Sequence, residues 1–234
     1  MSDFQFKRFS IKQDKCAMKV GTDGVLLGAW ADIKNAKTAL DIGSGTGLIS
    51  MMLAQRGVEL VDAIDIEETA YIQTSENINS SVFKVNVFPH HISFQEFAKK
   101  NISYDLIASN PPFYTDTFLP KDKSRGVARH ISELPFDEII KLSRKILNPN
   151  GVLSLIFPYK LKLEILNLAK NNVFNIKRIC DVKPTLTKDY HRCMIELTLF
   201  SCDLIEENLV IEPEKRHQYS KEYIELTREF YLNL

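Results

Sequence analysis

Short apolar runs alternate along the chain with stretches whose apolar positions recur at helical spacing, the pattern of a mostly parallel α/β sheet. Residues 38–42 (TALDI), 59–65 (ELVDAID), 83–88, 104–109 (YDLIAS) and 152–157 read as strands. Helices are predicted over 48–56, where Gly57 ends the pattern, and over 68–80, 135–147 and 160–171. Ahead of the first strand, Thr22 or Asp23 can cap a short apolar helix carrying Val25, Leu26, Leu27 and Trp30. Near the end, 174–182 and 193–200 are β-rich and joined by PTLTKDYHR, which predicts an antiparallel hairpin. An acidic patch at 203–214 and a helix over 221–232 close the chain. We expect one domain over 1–234, with 1–37 forming an N-terminal arm and helix.

Two of these strands end in unusual chemistry. Strand 104–109 stops at Asn110-Pro111-Pro112-Phe113, where neither proline can donate a ladder hydrogen bond and each biases its predecessor to extended geometry. The Asn110 side-chain carbonyl, the Pro111 backbone carbonyl and the Phe113 ring would suit a planar group bearing an exocyclic amine, an amide or an adenine. The plainer reading of these four residues is a turn that ends a strand. Strand 38–42 runs into Gly43-Ser44-Gly45-Thr46-Gly47 and then a helix, a glycine loop that lets a ligand approach the backbone. Asp41-x-Gly43-x-Gly45-x-Gly47 is not the dinucleotide spacing, and an acid opening the loop disfavours phosphate while favouring the amino group of an amino acid. Asp65 ends the next strand about 20 residues beyond the loop, where a carboxylate grips ribose hydroxyls. The loop expected at Pro89-His90-His91 is where an adenine contact would fall.

Composition narrows the field. With 44% hydrophobic residues the chain is globular, and 30 Lys+Arg against 30 Asp+Glu give no overall field that would draw it to nucleic acid or an anionic membrane. Contacts to RNA must then be local: Lys7, Arg8, Lys12 and Lys15 in the arm, which also carries Phe4, Phe6 and Phe9, and Lys121, Lys123, Arg125 and Arg129 in the polar stretch 114–133. A solvated arm and a solvated flap are the plainer readings of the same segments. Cys16, Cys180, Cys193 and Cys202 have no metal-ligand or disulfide spacing, so no metal is expected and a reducing cytoplasm fits best. No apolar run reaches membrane-spanning length. A monomer or weak dimer is expected.

Taken together, the glycine loop 41–47 and Asn110–Phe113 resemble the class I S-adenosylmethionine-dependent methyltransferases, and within them the amino methyltransferases carrying Asn-Pro-Pro-Phe/Tyr. Similarity to tRNA adenine-N6 methyltransferases extends over nearly the whole chain, through 14–30 (DKCAMKVGTDGVLLGAW), Glu76-Asn77-Ile78-Asn79, Arg125 with Ala128-Arg129, and Phe230-Tyr231-Leu232. The resemblance implies a Rossmann-like seven-stranded, mostly parallel sheet with one antiparallel strand, S-adenosylmethionine across the strand ends, and an adenosine beside the anticodon as acceptor. It implies cofactor contacts at Thr22, Asp41, Gly43, Gly45, Asp65, Ile66, His91 and Asn110, and catalysis at Asn110, Pro111, Pro112 and Phe113. His91 stands where such enzymes commonly place an acidic residue. Two further readings use the same residues: Asn-Pro-Pro-Phe gripping a glutamine side-chain amide of a protein, and a non-catalytic RNA-binding protein on this fold.

Overall fold

The computed structural model describes residues 3–112 and 134–233. Its main sheet is built from β3 (Thr38–Ile42), β4 (Leu60–Asp65), β5 (Val87–His91), β6 (Tyr104–Ser109), β7 (Leu147–Pro158), β8 (Asn175–Lys183), β9 (Arg192–Thr198) and β10 (Ile205–Val210). The spatial order is β10-β8-β9-β7-β6-β3-β4-β5. Every neighbouring pair is parallel except those made by β9, which lies antiparallel to both β7 and β8. The expected hairpin is therefore present as β8 and β9, but the sheet has eight strands rather than seven. The extra strand is β10, which joins β8 in parallel from Ile205↔Arg178 to Val210↔Lys183. Its Glu206 and Glu207 gave the segment the look of a solvated acidic patch, and charged residues are what an exposed sheet edge carries.

Alternation along the strands sends one set of side chains to each face. Ala39, Val61, Ala63, Leu106 and Ala108 share a core with α1 (Thr22–Trp30), α2 (Leu48–Gln55) and Ile78 of α3 (Glu68–Asn79). Leu40, Ile42, Ile64 and Ile107 pack with α4 (Phe94–Ala98), α5 (Phe136–Ile146) and α6 (Lys162–Asn171). From β3 the chain moves outward through β4 and β5, then crosses back to β6 on the other side of β3. The strand order thus switches at β3 and β6, and in open α/β sheets ligands sit at the carboxyl ends of the strands at that point.

Several boundaries differ from expectation for identifiable reasons. β5 begins later than 83–88, because Phe83 O accepts from the amides of Asn86 and Val87 in a turn. Pro89, His90 and His91 are then strand rather than loop, and a proline is tolerated because β5 is the sheet edge. α1 is preceded by Gly21 with no side-chain cap, so neither Thr22 nor Asp23 caps it. α4 was not expected; its signal is Ser93-x-x-Glu96, with Ser93 Oγ accepting from Glu96 N. The terminal helix, α7 (Lys221–Thr227), stops short of the expected 232.

The arm packs its aromatics inward. β1 (Phe4–Gln5) and β2 (Ser10–Ile11) pair as a separate two-stranded sheet, Phe6 and Phe9 are buried, and Phe6 bridges Tyr231 near the other end of the chain. Beyond β2 the arm runs antiparallel to α3. Lys12 N donates to Asn77 Oδ1 at 2.9 Å and Lys15 N to Gln73 Oε1 at 2.9 Å, one helical turn nearer the strand ends.

Candidate active site

A cavity of about 710 Å³ opens at the switch point. Its floor is the loop after β3, where Gly43, Gly45 and Gly47 have φ of 73°, 58° and 79°. Left-handed backbone at three alternate positions is why the sequence needs glycine there. A Cβ at Gly43 would meet nothing within 4 Å, and one at Gly45 only the Gly43 carbonyl at 4.0 Å, so the space above the loop is free for a ligand.

Asp65, at the end of β4, lines the cavity and is held by two backbone donors: Gly45 N to Oδ2 and Glu67 N to Oδ1, each at 2.9 Å. Each carboxylate oxygen keeps acceptor capacity for a hydroxyl. Burial raises its pKa, against the pull of those two amides. Ile66 beside it also lines the cavity and is 49% exposed, an apolar surface at the position where a heterocycle would lie over the ribose site.

Asp41 is placed differently from expectation. It is fully buried beneath the loop and does not line the cavity; Oδ2 accepts from Ser50 N at 3.0 Å and from Ser50 Oγ at 2.5 Å. Asp41 thus ties the end of β3 to the first turns of α2, and Oδ1 is left without a partner among the described residues. Burial pushes its carboxyl up to about 6. His91 also stands off the cavity. Its Nε2 lies 3.0 Å from the Ile66 carbonyl oxygen and its ring stacks on Tyr71, while Ile92, Ser93 and Gln95 line the wall expected of it.

At the end of β6, Ser109 Oγ donates to the Ile42 carbonyl at 2.9 Å and fixes the two strand ends together. Asn110, Pro111 and Pro112 follow directly into the cavity wall. Asn110 Oδ1 is buried and has no hydrogen-bond partner among the described residues. α1 backs this residue closely, since a Cβ at Gly24 would stand 4.0 Å from Asn110 Nδ2 and 3.1 Å from Leu48 Cδ2. Thr22, at the start of α1, lines the cavity as expected. The adjacent Asp23 accepts from Arg192 Nε at 2.7 Å, a pair across 169 residues that no local pattern announces. Residues 16–21 close one side of the cavity, with the Cys16 thiol pushed up to about 11 by burial and so neutral.

The expected RNA contacts divide. Lys7 Nζ donates to the Arg228 carbonyl at 2.5 Å, and the Arg8 guanidinium lies 5.3 Å from the Phe83 ring centroid, beyond the far end of α3. Because Thr69 and Ala70 at the start of α3 line the cavity, a 12-residue helix of roughly 18 Å separates Arg8 from it, while Lys7 is held at the end of the terminal helix. Lys15 Nζ pairs with Glu76, and Lys12 is exposed between the two levels. Phe113, Lys121, Lys123, Arg125 and Arg129 lie outside the described residues. None of these cations is brought onto the cavity wall among the described residues.

Residues 19–180 match the model of the methyltransferase small domain family. The chain belongs to that family. A Flavobacterium johnsoniae protein named tRNA1(Val) (adenine(37)-N6)-methyltransferase is 44% identical to this methyltransferase small domain chain, covering 99% of it and 100% of the relative. A Parabacteroides distasonis protein of the same name is 39% identical over 99% of this chain and 98% of its own. Among solved structures, a predicted O-methyltransferase of Agrobacterium tumefaciens superposes with a TM-score of 0.70 at 16% identity, over 89% of this chain and 96% of that one. A putative RNA methyltransferase of Pyrococcus horikoshii gives 0.56 at 18% identity, over 83% and 92%. These two likenesses show the fold. For a methyltransferase small domain protein, the methyl donor is S-adenosylmethionine, and the cavity fits it: free space over the glycine loop, a carboxylate with spare acceptors at Asp65, and an apolar ledge at Ile66. Among the described residues no helix is long and apolar enough to cross a membrane, and no three His, Cys, Asp or Glu side chains are grouped as metal ligands.

Proposed function

We propose that this chain methylates N6 of adenosine 37 in tRNA1(Val). The observation that carries the reading is the unpartnered, buried Asn110 Oδ1 in the wall of a cofactor-sized cavity. A buried amide oxygen without a donor is costly, and an incoming exocyclic amine would satisfy it. The relatives that share almost the whole chain are named for that reaction. S-adenosylmethionine, when bound, supplies a methyl group on a sulfonium, electrophilic enough to need no metal or strong base.

The protein's part is positioning. Asn110 Oδ1 and the Pro111 carbonyl accept the two N6 hydrogens, which orients the amine and favours the geometry in which its lone pair is free for attack. As methyl transfer places positive charge on N6, the same two acceptors stabilise it, and the surplus proton leaves to water. Positioning of this kind calls for no side-chain base. Cys16 is neutral, Asp41 lies beneath the wall, and Asp65, held by two backbone amides, has its remaining acceptor capacity for the donor's ribose. Phe113 follows Pro112 directly in sequence and would stack on an adenine unstacked from its loop. The contacts assigned to Asp65, Ile66, Gly43, Gly45 and Thr22 hold the donor, whereas Asp41 shapes the loop from below. Free thiols at Cys16, Cys180, Cys193 and Cys202 suit a reducing cytoplasm.

Incubation with labelled S-adenosylmethionine and unmodified tRNA1(Val), followed by mass spectrometry of the nucleosides, tests the reading. N6-methyladenosine at position 37 is expected, and Asn110→Ala should lower the rate by about 10²-fold or more while leaving donor affinity intact. Methylglutamine in a protein substrate with no methylated adenosine would replace this reading with the amide one.

A further inference from the structure

We propose that an aromatic pocket beside the reaction cavity receives the base of a nucleotide next to the acceptor adenosine. The inference rests on the RNA reading above and gives it a second binding position.

The pocket lies where the two ends of the chain meet and has a volume of about 710 Å³. Phe4, Tyr219, Tyr223 and Tyr231 supply its rings, and Gln5, Glu212, His217 and Asn233 supply polar edges. Thr22, Pro184 and Ile211 line both this pocket and the reaction cavity, so the two spaces share a wall. A pocket for an alkyl chain would be walled by aliphatic groups. Flat rings with hydrogen-bonding groups at the rim instead suit a flat heterocycle with polar edges, which is what a nucleobase is.

Chain connectivity points to the same occupant. An adenine withdrawn from its loop leaves its neighbours without a stacking partner, and they reach the protein at the mouth of the cavity. A neighbour crossing the shared wall meets aromatic faces, and stacking on them is tolerant of base identity. The rings are held in place before any ligand arrives. Tyr219 stacks on Tyr223 with centroids 5.0 Å apart, and Ser220 Oγ caps α7 by accepting from Tyr223 N at 3.0 Å. Phe4 lies 4.8 Å from Phe6, Phe6 stacks on Tyr231 at 5.8 Å, and Lys7 N donates to the Phe230 carbonyl at 2.8 Å. This arrangement also gives the hairpin β1–β2 a role that does not depend on its cations.

The test uses an anticodon stem-loop as methyl acceptor, in three forms: intact, and with an abasic nucleotide immediately 5′ or 3′ of the target adenosine. With the parent protein, one abasic form should show a KM raised on the order of tenfold at an unchanged kcat, the loss expected for one base–aromatic stack. Tyr219→Leu should raise KM for the intact loop by a similar factor and remove the further penalty of the abasic form, while Tyr219→Phe behaves as the parent. Parental KM for both abasic loops would overturn the proposal, and that comparison holds even if the leucine variant fails to fold. An abasic penalty undiminished in Tyr219→Leu would overturn it as well. No transfer to the intact loop would overturn the RNA reading and this inference with it, whereas transfer with indifferent neighbours sinks the inference alone.

Discussion

Asp41→Asn isolates the electrostatic cost of the loop. Burial raises this carboxyl from an ordinary 3.8 to about 6. A difference of about 2 units at 1.36 kcal/mol each means that ionised Asp41 costs the folded state about 3 kcal/mol at neutral pH. The folded carboxyl holds its proton more tightly than the unfolded one, so between about pH 4 and 6 the folded protein binds more protons. Stability contributed by this group is therefore present below the window and is lost as pH rises through it. Asparagine cannot ionise, and its Oδ1 can accept both bonds from Ser50, leaving an NH2 where Asp41 Oδ1 now has no partner. That unpaired NH2 costs about 1–3 kcal/mol, but at every pH alike.

The diagnostic is thus a difference of differences. At pH 4.5 a group with these two pKa values has incurred only about 1 kcal/mol of the 3, so the stability of Asp41→Asn relative to the parent should be about 2 kcal/mol more favourable at pH 7.5 than at pH 4.5. Urea unfolding of both proteins at the two pH values measures it; buried Glu196 is common to both and cancels, and repulsion from Asp65 is part of the Asp41 shift that the asparagine removes. A gap between variant and parent that does not change with pH would refute the placement of Asp41 as an ionising group buried beneath the loop.

Asp65→Ala should weaken S-adenosylmethionine binding by about 1–3 kcal/mol by calorimetry, and by more than Asp41→Asn, because only Asp65 lines the cavity. Glu196 is fully buried and accepts from Asp32 N, Arg178 Nε and Arg178 Nη2, so Glu196→Leu should destabilise the fold by about 3–5 kcal/mol in urea unfolding. Charge reversal of Arg8 should leave S-adenosylmethionine affinity within about twofold by calorimetry, because the length of α3 separates its guanidinium from the cavity.

The site's backbone elements were legible because each is local. A strand, three alternate glycines and a helix are adjacent in sequence, and so are a strand and two prolines; their roles follow from φ and from missing donors. What was not legible is what the chain brings from afar. Ser50 as the partner of Asp41 and Arg192 as the partner of Asp23 depend on which helix faces which strand end. The eighth strand was hidden for a different reason: an edge strand needs little apolar surface, so in β10 only Leu209 is buried and the periodicity is faint. β5 was misplaced because Pro89 reads as a breaker, which holds for an interior strand and not for an edge.

The basic arm shows why charge alone misdirects. Interleaved lysines and aromatics are compatible with an RNA-contacting segment, but the aromatics decide where the segment goes. Phe6 and Phe9 are buried against Tyr231 and Phe83, and that apolar contact anchors the hairpin at the end of α3 away from the glycine loop. Once there, the cations find partners within the fold: Lys7 the carbonyl at the end of α7, Arg8 the face of Phe83, Lys15 the carboxylate of Glu76. Apolar burial of two phenylalanines is worth several kcal/mol, whereas exposed ion pairs contribute at most about 1 each. The hydrophobic term therefore sets the path of the arm and the charges follow it. If the arm meets RNA, it does so through the aromatic pocket that its first strand helps to wall, and electrostatic attraction has to come from cations elsewhere, for which Lys121, Lys123, Arg125 and Arg129 remain the candidates by sequence.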